Sequence, residues 1–185
     1  MIFDRNVCYN SIMTIKKKQK FKLRPFHPGD VPALYKNINN KKIIDNLATV
    51  PYPYTLKHAR DWVKRCIKRE MAKDAVDFVL AIEIDNEAAG AVGLHKIVRN
   101  HKAEIGYWLA RKHWGKGIMT EAVKLMETRG RKKFGLRRIY AGVFAYNTGS
   151  KRVLEKCGFE FEGRQKKEIK KGKKYIDGLL FAKVR

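Results

Sequence analysis

From Glu104 to Ala110 the chain alternates, with Ile105, Tyr107 and Leu109 set against Gly106, Trp108 and Ala110, the two-residue period of a strand. The period changes at Ile118. Ile118, Ala122, Leu125 and Met126 fall at i, i+4, i+7 and i+8, which predicts an amphipathic helix. Upstream, Phe21, Leu23 and Phe26 open a first strand, and Pro28 to Leu47 reads as helix broken near Asn39 and Asn40. Thr49 to Thr55 (T-V-P-Y-P-Y-T) is excluded from regular helix, because each proline restricts itself and the residue before it. Thr55 then caps a long helix with Ala59, Trp62, Val63, Cys66 and Ile67 on one stripe. Val76, Phe78, Leu80, Ile82 and Ile84 alternate as a strand that turns at Asp85, Asn86 and Glu87, and a partner strand begins near Ala88. Beyond Arg137 the pattern predicts a strand ending near Ala145, a short helix, Gly158 and a further strand. Phe161 to Ile169 and Tyr175 to Val184 read as a hairpin around K-K-G-K-K. The sum is an α/β domain with a mixed, largely antiparallel sheet and no internal repeat.

Length and composition narrow the class. At 185 residues the chain fits one domain with a sizeable core. We expect residues 1–15 to be a loose N-terminal extension, with Met13 an alternative start, and 16–185 to be the single domain. No apolar run approaches the roughly 20 residues that span a bilayer, and M-I-F-D-R-N-V-C lacks the order of a signal peptide. Cys8, Cys66 and Cys157 are odd in number and share no C-x-x-C spacing, which favours reduced thiols in a cytoplasm over disulfides or a metal site. Cys66 and Cys157 fall on apolar helix faces and read as core.

Charge is the strongest compositional signal. Forty-two Lys and Arg against 18 Asp and Glu leave a formal charge of +24. Such a surface suits polyanionic neighbours (RNA, ribosomes, acidic proteins) and speeds capture of an anionic ligand. Lys16 to Lys18, Arg131 to Lys133, and the lysines from Lys166 to Lys174 carry much of it. Each run alone reads as a solvated face, and no glycine-aromatic RNA-binding signature accompanies them.

Gly115 and Gly117 stand where the strand must become the helix. Glycines there let the backbone approach a ligand, and a helix start leaves N–H groups without partners. With the helix dipole and the charges of Arg111, Lys112 and Lys116, this passage suits a phosphate or pyrophosphate. Taken alone it reads equally as a tight connection. The chain has neither G-x-x-x-x-G-K-[ST] nor G-x-G-x-x-G, which excludes a P-loop and a dinucleotide fingerprint.

A second block follows from Arg137 to Gly163. K-H-W-G-K-G matches [Q/R]-x-x-G-x-[G/A] with Lys112 in the first position, T-E-A follows at Thr120 to Ala122, and Asn147, Ser150, Val153, Gly158 and Phe159 follow N-x-x-S-x-x-[LV]-x-x-x-G-[FY] at compatible spacing, with one residue more before the glycine. Over Phe21 to Val184 the chain resembles the GNAT acetyltransferases, in the branch that acetylates ribosomal-protein N-termini. The resemblance implies a GNAT fold with a cofactor cleft between two splayed central strands, acetyl-CoA as co-substrate, and no metal. It implies that the loop Lys112, His113, Trp114, Gly115, Lys116, Gly117 and Ile118 holds the cofactor pyrophosphate through its N–H groups, and that Asn147 contacts the pantetheine or orients the thioester. Lys112 departs from the commoner Gln or Arg but retains the charge.

For catalysis the resemblance points to Glu104 as proton acceptor and Ser150 as partner of the departing thiolate. Their local alternatives are an exposed strand-edge carboxylate and a helix-start residue capping the turn after Asn147, a task Thr148 also suits. Tyr107, Tyr140, Tyr146 and His95 are further proton carriers in principle, and on strands such residues usually pack. The acceptor region falls at about Asn37 to Tyr54, where Tyr52 and Tyr54 either shape a slot or pin the proline loop. A protein N-terminus is the leading acceptor. A small amine (amino acid, amino sugar or polyamine) is the alternative, and a non-catalytic RNA- or ribosome-associated protein is the alternative of another class. As partners we expect acetyl-CoA and an amine, with RNA or ribosome proximity through the basic surface, no membrane, and a monomer or homodimer.

Overall fold

The computed structural model describes residues 20–70, 72 and 74–185. The expected extension at 1–15, Met13, Cys8 and the Lys16 to Lys18 run lie outside the described residues.

Twelve elements build one seven-stranded sheet between two helical layers. They are β1 (Lys22–Arg24), α1 (Val31–Ile38), α2 (Lys41–Ile44), α3 (Leu56–Glu70), β2 (Phe78–Ile84), β3 (Glu87–Val98), β4 (Lys102–Leu109), α4 (Ile118–Phe134), β5 (Arg138–Phe144), α5 (Thr148–Lys156), β6 (Glu160–Lys171) and β7 (Lys174–Val184). The strand order is β1-β2-β3-β4-β5-β7-β6, antiparallel except for the β4–β5 pair.

Local signals place most boundaries. The Asn40 side chain caps α2 by accepting from the Lys42 N–H at 3.0 Å, which is why the predicted helix breaks there. Thr55 Oγ1 accepts from the His58 N–H at 3.2 Å and caps α3. Asp85 and Asn86 both take positive φ (52° and 62°), the tight turn that joins β2 to β3. Several boundaries differ from expectation. β1 ends at Arg24, short of Phe26, and β2 begins at Phe78, leaving Val76 outside it. The helix read from Pro28 opens as a 3₁₀ turn at Pro28–Asp30, continues as α1 with Pro32 in its first turn, restarts at the Asn40 cap and ends at Ile44. The strand read from Glu104 starts at Lys102. Cys157 sits at the C-cap of α5, not on its face, although it is buried as expected.

The sheet buries both faces. On one, α4 sets Ile118, Met119, Val123, Met126 and Phe134 against Leu94, Ile105, Ile139 and Phe181. Each of these five helix side chains contributes roughly 2 kcal/mol of transfer free energy. On the other, α1 to α3 set Leu34, Ile44, Val63 and Cys66 against Ala81, Ala91 and Trp108. As a central strand, β4 therefore sends Ile105 and Leu109 into one core and Trp108 into the other.

Candidate active site

Pairing between β4 and β5 lasts only three residues, Lys102 with Arg138, Ala103 with Ile139 and Glu104 with Tyr140. Beyond that point β4 stays with β3 as far as the Leu109–Gly90 pair, and β5 stays with β7 as far as Phe144–Gly178. The two central strands thus part immediately after Glu104. The resulting fork is open toward the end where β4 leads into α4 and β5 into α5.

The first lip of the fork is the β4–α4 passage. Gly115 and Gly117 take φ of 74° and 77°, the left-handed region that favours glycine, and a Cβ on either would meet no protein atom within 4 Å. The first main-chain bond of α4 is Glu121 N–H to Gly117 O at 3.2 Å, and Gly117 offers no side-chain cap. The N–H groups of Ile118, Met119 and Thr120 therefore start the helix without intrahelical acceptors. His113 and Trp114 have spent theirs in a 3₁₀ turn, on Ala110 O at 2.9 Å and Arg111 O at 3.1 Å. The His113 ring is buried, and burial, with Lys112 and Lys116 beside it, lowers its pKa and keeps it neutral. Trp114 Nε1 donates to Leu109 O at 2.7 Å. Lys112 Nζ lies 3.4 Å from Glu87, and Lys116 is exposed.

The second lip is the start of α5. Asn147 is the N-cap, its Oδ1 accepting from the Ser150 N–H at 3.0 Å. Ser150 Oγ lies 2.8 Å from the Tyr107 hydroxyl, which also lies 3.3 Å from Ser150 O. This contact crosses the fork from β4 to α5. Burial pushes the Tyr107 phenol well above its ordinary value, so it is protonated at neutral pH.

Glu104 occupies the apex. Its side chain is 27% exposed and pairs with Lys96 Nζ at 2.8 Å. Lys96 sits at φ 50° within the irregular end of β3. Beside Glu104, directly opposite on β3, His95 approaches Asp77 Oδ1 through Nδ1 at 3.1 Å, and Arg69 in turn holds Asp77. A Cβ on Gly106 would lie 3.4 Å from His95 Nε2, so the imidazole edge covers that strand position. Lys96 carried no periodic or motif signal. Its partnership with Glu104 depends on the strand irregularity.

The sheet face shared by Glu104 and Tyr140 borders the loop after α2. Tyr146 donates to Asp45 O at 2.6 Å, and Lys171 donates to Ile44 O and, at 3.0 Å, to Leu47 O. The two loop tyrosines divide the roles considered for them. Tyr54 is buried, its main chain clamped by both ends of the Asn39 amide, and burial pushes its phenol up to about 12. Tyr52 is exposed. A cavity of about 570 Å³ lined by residues including Phe21, Glu83, Lys116 and Ile118 lies on the other side of α4's start and includes neither Glu104, Asn147 nor Ser150.

A parallel strand pair that opens beside a glycine-bearing helix start leaves a cleft in the sheet with main-chain N–H groups at one lip. Residues 20–160 match the acetyltransferase (GNAT) domain, and the chain belongs to that family. It is 40% identical over 119 residues to the "Probable N-acetyltransferase YjcK" of Bacillus subtilis (strain 168), covering 63% of this chain and 66% of that protein. It is 27% identical over 174 residues to the ribosomal-protein-serine acetyltransferase of Escherichia coli (strain K12), covering 92% and 96%. Among solved structures, the ribosomal L7/L12 α-N-protein acetyltransferase RimL in complex with coenzyme A superposes with a TM-score of 0.80 at 26% identity, covering 89% of this chain and 93% of that one. The protein is an acyltransferase that uses acetyl-CoA, which removes the non-catalytic alternative.

Proposed function

We propose that this enzyme acetylates a protein N-terminal α-amine of the ribosomal-protein type. The observation that carries the reading is the fork, with a carboxylate at its apex and an anion-suited helix start at one lip. Both fit coenzyme A. The open space over Gly115 and Gly117 admits a ligand against the backbone, and the parted strands leave main-chain groups for an amide-bearing arm.

When bound, acetyl-CoA supplies the activated acyl group. The N–H groups at the start of α4, with Lys112 and Lys116, hold the pyrophosphate. Asn147 spends its Oδ1 on the cap, and its Nδ2 turns to the pantetheine. Ser150, its Oγ accepting from the Tyr107 hydroxyl, keeps its own proton to donate in a hydrogen bond to the departing thiolate. Glu104 takes the proton from the acceptor amine through a water. The Lys96 ion pair rests on an exposed side chain, so solvent weakens it and an incoming ammonium displaces it.

Protonation favours an α-amine. With a pKa of about 8 it is roughly a tenth neutral at pH 7, costing about 1.4 kcal/mol, whereas a lysine-like amine near 10.4 costs about 4.6 kcal/mol. A single carboxylate at the apex of the fork suits the first. Two relatives whose names specify ribosomal-protein acetylation, RimL and the E. coli serine enzyme, support the same acceptor.

The test is thiol release from acetyl-CoA with peptides beginning Ser, Ala or Met, compared with spermidine, an amino sugar and free amino acids. We expect kcat/KM for at least one peptide to exceed every small amine by tenfold or more. A small amine at the head of that ranking overturns the acceptor and leaves the acetyl transfer intact.

A further inference from the structure

The end of the molecule opposite the fork gathers cations from segments far apart in sequence. Arg131, on the last turns of α4, donates to Leu136 O and Arg137 O, both at 3.0 Å, and to Lys183 O at 3.2 Å. The Arg185 N–H donates to Arg137 O at 2.9 Å, and the N–H groups of Arg137 and Arg138 both donate to His101 O. These bonds lock the end of β7, the α4–β5 connection and the β3–β4 turn into one surface. Between α4 and β7 lies a hollow of about 480 Å³ lined by Glu127, Thr128, Arg131, Lys132, Lys183, Val184 and Arg185.

The charge in this hollow is positive in excess. Its one lining side-chain carboxylate, Glu127, is already bound by Arg131 at 3.1 Å and Lys183 at 2.9 Å. Two other carboxylates at this end are also held, Glu162 by Arg138 and Asp77 by Arg69. Lys132, Arg137 and Arg185 face solvent on or beside the hollow. Arg99 and Lys133 lie over the Phe134 and Phe78 rings at 5.3 and 4.4 Å, so their charges stand on rigid supports at its flank.

We propose that this pole docks the phosphate backbone of duplex RNA, with a phosphate seated in the hollow. The scarcity of apolar anchors, set against the density of cations, favours RNA over an acidic protein. Among the described residues the exposed large hydrophobics at this end are Val76, Val98, Val184 and a single ring, Phe161, which leans on the buried Phe181, while the Phe78 and Phe134 rings lie beneath cations. A protein interface draws its affinity from aromatic or apolar anchors, and single-stranded binding from exposed rings that stack bases. What remains here is fixed positive charge at a concave surface, the requirement for sequence-independent backbone binding. The 17 residues of α4 put about 25 Å between this pole and the glycine-bearing lip of the fork, and the strands part away from the pole beyond Glu104, so an enzyme held on RNA keeps its catalytic mouth open.

The experiment is fluorescence anisotropy with a labelled RNA duplex of about 20 base pairs, titrated at several salt concentrations. Four phosphate contacts predict affinity falling roughly 100-fold between 50 and 200 mM salt. The triple variant Lys132→Gln, Arg137→Gln, Arg185→Gln should bind at least tenfold more weakly and flatten the log–log salt slope by about 3. A control variant, Lys57→Gln, Arg60→Gln, Lys64→Gln on α3, removes the same charge elsewhere and should change affinity less than about threefold. Equal losses in the two variants would mean diffuse charge and would overturn the proposal, as would an unchanged triple variant or competition by a polyglutamate peptide as effective as RNA. Retained stabilisation by acetyl-CoA shows that both variants are folded. Because RNA binding is read without an acceptor amine, its failure leaves the acetylation reading untouched.

Discussion

Replacing Gly117 separates two tasks that the helix start performs at once. With φ of 77°, an alanine there is strained by about 1 kcal/mol, which in a chain of this length lowers Tm by roughly 3 °C. Its Cβ meets nothing in the protein, so no packing penalty adds to that. An aspartate carries similar backbone strain, but its carboxylate at the positive end of α4 returns about 0.3–1 kcal/mol to the fold. Toward a bound pyrophosphate the same carboxylate is repulsive. At about 5 Å, two unit charges cost roughly 0.8 kcal/mol in a water-like medium and about 3 kcal/mol at an effective dielectric of 20. Gly117→Asp should therefore be at least as stable as Gly117→Ala without ligand, yet bind acetyl-CoA about 4- to 150-fold more weakly than the alanine variant. Calorimetric titration at about 100 mM salt, with thermal melts of the ligand-free proteins, reads both quantities. Equal acetyl-CoA affinity in the two variants would refute the reasoning and move the pyrophosphate away from this helix start.

Two further perturbations probe the apex and the scaffold. Glu104→Gln should lower kcat by about 100-fold while the acetyl-CoA Kd stays within about twofold, and undiminished turnover would remove Glu104 as the proton acceptor. Arg24 binds Asp30 at 2.7 and 2.8 Å and also reaches Glu83, and Asp30 is only 3% exposed. Burial opposes the Asp30 charge, but the Arg24 guanidinium and the His27 N–H outweigh it and hold the carboxyl below its usual range. That stabilisation is complete above the unfolded carboxyl pKa near 3.9 and is lost as pH falls through the lower folded value. Arg24→Ala strands the carboxylate at a cost of about 3 kcal/mol, and the Tm decline of the parent below about pH 4 should flatten in the variant. Parallel Tm-versus-pH curves would show that Asp30 carries none of the acid sensitivity.

Local rules read well from this sequence wherever a few neighbouring residues settle the outcome. Thr55 and Asn40 cap helices because a side-chain oxygen two or three residues away satisfies an otherwise unpaired N–H. The Gly115 and Gly117 turn follows from backbone freedom at a strand-to-helix change. The alternation at β4 was visible, but its meaning was not. Ile105 and Trp108 enter different cores because both sheet faces are covered, and alternation cannot report how many faces are buried. Tyr52 and Tyr54 looked equivalent, and only packing against α1 and α3 separated the buried one from the exposed one.

The chain's own pattern thus determined the elements, the anion-suited turn and the Asn147–Ser150 helix start, since each depends on hydrogen bonds or periods spanning a few residues. Tertiary structure decided that Glu104 stands where β4 and β5 part, that Tyr107 meets Ser150 across 43 positions, and that Lys96 pairs with Glu104. It also decided that Arg131, Arg137, Lys183 and Arg185 share one pole. Those relations depend on strand order and register. They are set by how the whole sheet closes its cores, and no local period in the chain encodes them.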